Sequence, residues 1–140
     1  MVGILPGYLR VGMEQETEDA AIRAVITDYL EGMIWGDVDR LLRAFHPGSI
    51  TAGEFHGVQY LTGRDAFIPE WLGLGSLPPG TPYEAEIQSV EVTGNLAVVK
   101  LWDRCFGDSY TDYLTLMHNG DRWQIISKAY YVHPETHAPA

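Results

Sequence analysis

YEAEIQSVEVTGNLAVVKLWDRCFGDSYTDYLTLMHNGDRWQIISKAYYV, residues 83–132, reads as β-strands in series. The runs Tyr83–Thr93, Leu96–Phe106, Ser109–His118 and Arg122–Val132 are rich in β-branched and aromatic residues. Between them stand Gly94-Asn95, Gly107-Asp108 and Asn119-Gly120, pairs suited to tight hairpin turns. Strands joined this way pair antiparallel, and one face of the resulting sheet must be covered by something apolar.

Upstream the period changes. Ile22, Val25, Ile26, Tyr29, Leu30 and Met33 recur at helical spacing, with Thr17 as cap and Glu18 and Asp19 in the first turn. Gly36 stops this helix. Asp37 caps a second, shorter one with Val38, Leu41, Leu42 and Phe45 inward, closed by Pro47-Gly48. Ser49–Phe55 reads as a short strand, and the stretch through Tyr60 fits no single period. A third helix is expected from near Asp65 to Leu72, with Phe67, Ile68, Trp71 and Leu72 on its apolar side and Pro69 tolerated near its first turn. Gly73–Pro82 reads as a long loop. The class is α+β: a domain over 17–133, a flexible extension over 1–16 docking through Ile4, Leu5, Tyr8 and Leu9, and a tail over 134–140. Met13 is an equally good start.

At 140 residues and 46% hydrophobic, the chain has the size and apolar content of one ordinary domain. A net charge of −10 repels nucleic-acid phosphates and anionic lipid, so neither nucleic acid nor membrane is an expected partner. The single cysteine, Cys105, allows no internal disulfide and fits core packing in a cytoplasmic, reducing setting. No metal-ligand spacing is present: Glu54 with His56 supplies only two ligands, short of a catalytic zinc site. With no phosphate-cradling loop and no nucleotide fingerprint either, the expected chemistry is proton transfer without metal or cofactor.

The strings Tyr29-Leu30-Glu31-Gly32 with Gly36-Asp37, Phe45-His46-Pro47, Tyr110 to Leu116 and Trp123 to Lys128 resemble the putative lumazine-binding family of the nuclear transport factor 2-like superfamily, from Asp19 to about His133. That resemblance implies a cone-shaped barrel, three N-terminal helices packed on the concave face of a curved, mostly antiparallel sheet. It also implies a pocket at the open end of the cone and homodimerisation through the outer sheet face. The superfamily includes ketosteroid isomerase, dehydratases and polyketide cyclases alongside binding modules, so fold alone does not assign activity. Tyr29, seven residues before Gly36, stands where ketosteroid isomerase places its oxyanion-donating tyrosine. The isomerase's general base falls on Gly53, one short of Glu54, and its second acidic donor near Thr111, one short of Asp112. A one-residue offset on a strand reverses the face, which counts against steroid isomerisation itself.

Period-two logic singles out Asp112, which shares a strand face with Leu114 and Leu116 and is carried inward with them. On the last strand Ile126, Lys128 and Tyr130 share a face, so Lys128 can lie opposite Asp112. A buried charge needs a partner; the pair is either an ion pair fixing strand register or a general acid or base tuned by a lysine. Tyr29 is either core with its hydroxyl at the rim or an oxyanion donor. His46 locks a helix end or shuttles protons, and Glu54 with His56 reads as an acid-base dyad at the entrance or as solvated side chains. Trp71, Phe45, Phe55, Tyr130 and Trp35 are the candidate walls for a small apolar or aromatic ligand. Trp102, on a mixed face with Val98, Lys100 and Arg104, suits the outer sheet surface. The reading that follows is a cofactor-free acid-base isomerase, cyclase or lyase acting on a small apolar carbonyl or polycyclic compound. Its rival is a binding module for a flat heterocycle.

Overall fold

The computed structural model describes the backbone from Ile4 to Pro134 and the side chains from Thr17 onward. Helix α1 (Ile4–Trp35) turns the expected stripe into a buried face, with Ile22, Ile26, Tyr29, Leu30 and Met33 all inside the core. It begins upstream of Thr17, and Pro6 lies in its first turn, where no intrahelical N–H is needed. The contacts expected of Ile4, Leu5, Tyr8 and Leu9 lie outside the described side chains.

Gly36 takes φ +72°, which turns the chain out of α1. Asp37 then caps α2 (Val38–Ala44) by accepting a 3.3 Å hydrogen bond from the Arg40 N–H. Arg40 ties the two helices together through Asp28 at 2.9 Å and Glu31 at 2.6 Å. On so short a helix only Leu41 and Ala44 are buried, whereas Val38 and Leu42 stay exposed. Phe45 already belongs to β1 (Phe45–Phe55), whose ladder is irregular between Phe45 and Ile50, so Pro47 falls where no strand hydrogen bond is required.

The stretch after Phe55 is a second strand, β2 (Val58–Gly63), paired antiparallel with β1. The turn between them is His56-Gly57, at φ 49° and 85°. Then come α3 (Arg64–Leu72), β3 (Glu84–Thr93), β4 (Leu96–Cys105), β5 (Asp108–His118) and β6 (Trp123–Val132). The sheet is mixed, curved and unclosed, ordered β2-β1-β6-β5-β4-β3, with β1 and β6 parallel. The β4–β5 turn is Phe106-Gly107, one residue earlier than the Gly107-Asp108 signal.

One bulge matters for the site. Leu116 pairs with Ile125 but Thr115 pairs with Ser127, so Ile126 is the extra residue. Ile125, not Ile126, therefore shares the inner face with Lys128 and Tyr130. That face is covered by α1 and α3, and it carries Val99, Leu101, Leu114, Leu116 and Ile125 at zero exposure. The outer face carries Val98, Tyr113 and Tyr131, all exposed, with Lys100 over Tyr113 and Arg104 over Trp102. Among the described residues no helix is long and apolar enough to cross a membrane.

Candidate active site

Beyond Leu114 and Leu116 the inner face turns polar. The next position out on β5 is Asp112, and two strand positions beyond Leu101 on β4 is Asp103. Asp103 pairs with Tyr110 and Leu101 with Asp112, so the two carboxyls are diagonal neighbours, roughly 7–8 Å apart at the backbone. On β6, Lys128 pairs with Leu114 while Tyr130 pairs with Asp112. Lys128 is thus diagonal to Asp112 rather than opposite it, and no ion pair within 4.0 Å joins the two. All three groups are nearly buried, Asp112 at 1%, Lys128 at 4% and Asp103 at 6% exposure.

Helix α1 supplies the fourth member. Tyr29 reaches from the helix to the sheet and donates a 2.6 Å hydrogen bond to Asp112 Oδ2. The other carboxyl oxygen, Oδ1, is buried with no partner. Asp112 and Tyr29 line a cavity of about 250 Å³ together with Met33, Thr51, Phe55, Phe67, Trp71 and Tyr130. Its mouth lies at Tyr60, Glu70 and Leu74, the exposed members of the lining. The volume sits just below the roughly 300–1,000 Å³ usual for ligand sites, so the occupant is small. Trp71 Nε1 is likewise buried without a partner, a second unmet polar atom in the wall.

Burial governs the electrostatics. Desolvation pushes the Asp103 carboxyl up to about 8, with the nearby Asp112 charge adding to the rise and Lys128 opposing it. Asp112 is also pushed up by desolvation, against the pull of Lys128 and of the Tyr29 hydrogen bond. Two buried carboxyls at this spacing do not both ionise cheaply, so near neutrality they hold one negative charge between them. The Tyr29 hydrogen bond favours that charge on Asp112, which leaves Asp103 as the protonated partner. Desolvation lowers Lys128, while Asp112 and Asp103 pull it back up. The Lys128 nitrogen is ringed by Phe67, Tyr29, Tyr130 and Trp71, with centroids at 4.6, 4.9, 5.3 and 5.6 Å. Burial first, then the Asp103 charge, pushes the Cys105 thiol up, which keeps it in the un-ionised form.

The expected residues divide cleanly. Asp112, Tyr29, Lys128, Trp71, Phe55 and Tyr130 come together around the cavity. Tyr29 differs from the expected oxyanion donor, because its hydroxyl proton is committed to Asp112. His46, Glu54 and His56 are not brought to the cavity. His46 Nδ1 accepts a hydrogen bond from the Gly48 N–H at 2.9 Å, bracing the irregular start of β1. Glu54 is exposed on the strand face opposite Thr51, Gly53 and Phe55. His56 stands in the turn at φ 49°, and its Nε2 lies 3.4 Å from Asp108 Oδ2. Phe45 packs edge-on against Tyr29 and Phe67 as core beneath the cavity. Trp35 donates its Nε1–H to the Thr81 carbonyl at 3.0 Å and fastens the 73–82 loop.

Gly53 has its own reason. A Cβ there would lie 2.6 Å from the Tyr130 ring, so no side chain, and no isomerase-type aspartate, fits at that position. The residue that sequence reasoning missed is Asp103. The parity that puts Trp102 outward puts Asp103 inward with Val99 and Leu101, a signal present in the sequence.

A family model described as putative lumazine-binding matches residues 17–131. The chain belongs to the putative lumazine-binding family. This member is 27% identical over 120 residues to aldolase FrzH from Cladobotryum sp, with 84% of this chain and 94% of that protein covered. Its fold matches an NTF2-like protein of unknown function from Silicibacter pomeroyi at TM-score 0.79 and 28% identity, covering 85% of this chain and 98% of the other. A putative ketosteroid isomerase from Parabacteroides distasonis aligns at TM-score 0.56 and 16% identity, over 79% and 86% of the two chains, a likeness of fold alone. These matches put the putative lumazine-binding family member in the nuclear transport factor 2-like superfamily.

Proposed function

We propose that this protein is an enzyme that enolises a small apolar carbonyl compound by acid-base catalysis, as an isomerase, cyclase or carbon–carbon lyase. One observation carries the reading: at the buried floor of an aromatic cavity, Asp112 has one oxygen held by Tyr29 and the other unmet. A carboxylate placed so removes a proton from carbon α to a carbonyl, with Oδ1 as the accepting atom. Asp103, protonated near neutrality, donates to the carbonyl oxygen as negative charge develops there. Tyr29 is a positioning residue that aims Asp112. Lys128 lines the cavity beside them. The likeness to an aldolase supports carbonyl chemistry of this kind.

A second reading is non-catalytic binding of a flat heterocycle. The cavity wall holds two buried polar groups without partners, the Trp71 Nε1–H donor and the Asp112 Oδ1 acceptor, which favours it. Deuterium uptake at the α-carbon of aromatic ketones in heavy water separates the two. Under the enzyme reading Asp112→Asn loses about 10²–10⁴-fold in exchange rate while ligand binding persists. Binding without exchange in the wild type contradicts that reading.

The outer sheet face, with Val98, Tyr113 and Tyr131 exposed, is proposed as the contact between two copies of the chain.

A further inference from the structure

The Lys128 side chain presents a problem that proton transfer through Asp112 does not solve. Its nitrogen lines the cavity and has no hydrogen-bond acceptor and no carboxylate within 4.0 Å. Four aromatic rings surround it instead, at 4.6 to 5.6 Å from nitrogen to centroid. An ammonium with three donors is poorly served by ring faces alone, and one that only neutralised Asp112 would close on it as an ion pair. Two things suit this setting better. One is an amine with its lone pair free, as a lysine desolvated in an apolar pocket is. The other is a cation that needs few hydrogen bonds and spreads its charge, which four ring faces stabilise.

We propose that Lys128 is a nucleophile that forms a Schiff base with an aldehyde or ketone in the cavity, a step that rests on the carbonyl reading above. The Nζ lone pair attacks the carbonyl carbon, and the carbonyl oxygen takes up a proton from Asp103 to give a carbinolamine. Loss of the hydroxyl as water, with the proton returned through the carboxyl pair, leaves an iminium cation inside the aromatic ring of Phe67, Tyr29, Tyr130 and Trp71. Asp112 Oδ1 then removes the α-proton to give an enamine, whose carbon attacks a second carbonyl; the carbon–carbon bond forms as the nitrogen lone pair re-forms the iminium, and the proton held by Asp112 passes to the new alkoxide oxygen. Water hydrolyses the new iminium and frees Lys128. The same steps in reverse cleave a β-hydroxycarbonyl compound, so the substrate class is that of aldol addition or cleavage. No oxidant or reductant is consumed.

The sequence provides an internal control, because Lys100 and Lys128 are its only lysines and Lys100 sits on the outer face over Tyr113. The test incubates the intact protein with 2-naphthaldehyde and sodium borohydride, which reduces the C=N bond to a stable secondary amine. Intact mass and peptide mapping then locate the adduct. The expected result is a naphthylmethyl group on Lys128 of the wild type, lost in Lys128→Arg, whose guanidinium has no free lone pair to attack a carbonyl. No adduct, or an adduct confined to Lys100 or the terminal amine, overturns the proposal. Exchange of aromatic ketones in heavy water is run beside it. If exchange is accelerated and survives in Lys128→Arg while nothing is trapped, the Schiff base is refuted and the acid-base reading stands. If exchange is absent as well, both fail.

Discussion

Replacing Asp103 by asparagine tests the electrostatics of the site without a ligand. Unfolded, this carboxyl titrates near 3.8; folded, burial and the Asp112 charge hold it near 8. Below the first value both states carry the proton. Between the two, the folded chain keeps a proton that the unfolded chain has lost, so stability falls as pH rises, by up to about 1.4 kcal/mol per pH step. Above the second value both are ionised and the loss is complete, on the order of 6 kcal/mol as a ceiling. Asp112, also raised, tilts the curve the same way, whereas Lys128, lowered, tilts it oppositely toward alkaline pH. Asp103→Asn removes one proton's worth of slope. Urea unfolding of both proteins is the assay. From about pH 5 to pH 8 the variant should gain roughly 4 kcal/mol relative to wild type. Parallel stability curves would refute the placement of Asp103 as a buried, protonated carboxyl.

Three further outcomes are expected. Tyr29→Phe strips Asp112 of its remaining partner, which should cost about 1–3 kcal/mol in denaturant unfolding and move the acid limb of the exchange rate to higher pH, because the lost hydrogen bond favoured the ionised carboxyl. Gly53→Ala drives a Cβ into the Tyr130 ring at 2.6 Å. It should destabilise by about 1–3 kcal/mol and weaken ligand binding as the ring tips into the cavity, read by unfolding and titration. Tyr113→Glu puts charge at the centre of the outer face, and sedimentation should show a dimer becoming a monomer with the cavity chemistry unchanged.

Much of this was legible from strand alternation. Leucines at 114 and 116 carried Asp112 inward, and residues 83–132 gave their strands through β-branched runs and turn pairs. The same alternation held Asp103, masked because its neighbours Trp102 and Arg104 read as an outer surface. Strand β2 was not legible: Val58–Gly63 lies at an edge with its first four residues exposed, and so shows no alternation. The turn before it escaped because His56 occupies a left-handed position that glycine or asparagine usually marks. That misreading is what paired Glu54 with His56. The bulge at Ile126 is likewise silent in composition, since an extra residue in one strand shows only against its partner. The Tyr29 contact with Asp112 spans 83 residues, and no local pattern encodes which buried hydroxyl meets which carboxyl.

The central claim is that a carbonyl oxygen is received at the floor where Tyr29, Asp103, Asp112 and Lys128 meet. A crystal structure of the protein soaked with 2-naphthol, whose phenolic oxygen stands in for an enolate oxygen, tests it most directly. The account predicts the rings between Trp71, Phe55 and Tyr130 and the oxygen within hydrogen-bonding distance of Asp103 or Asp112. Naphthol seated on the outer sheet face, or in the cavity with its oxygen turned to the mouth at Glu70, would contradict it.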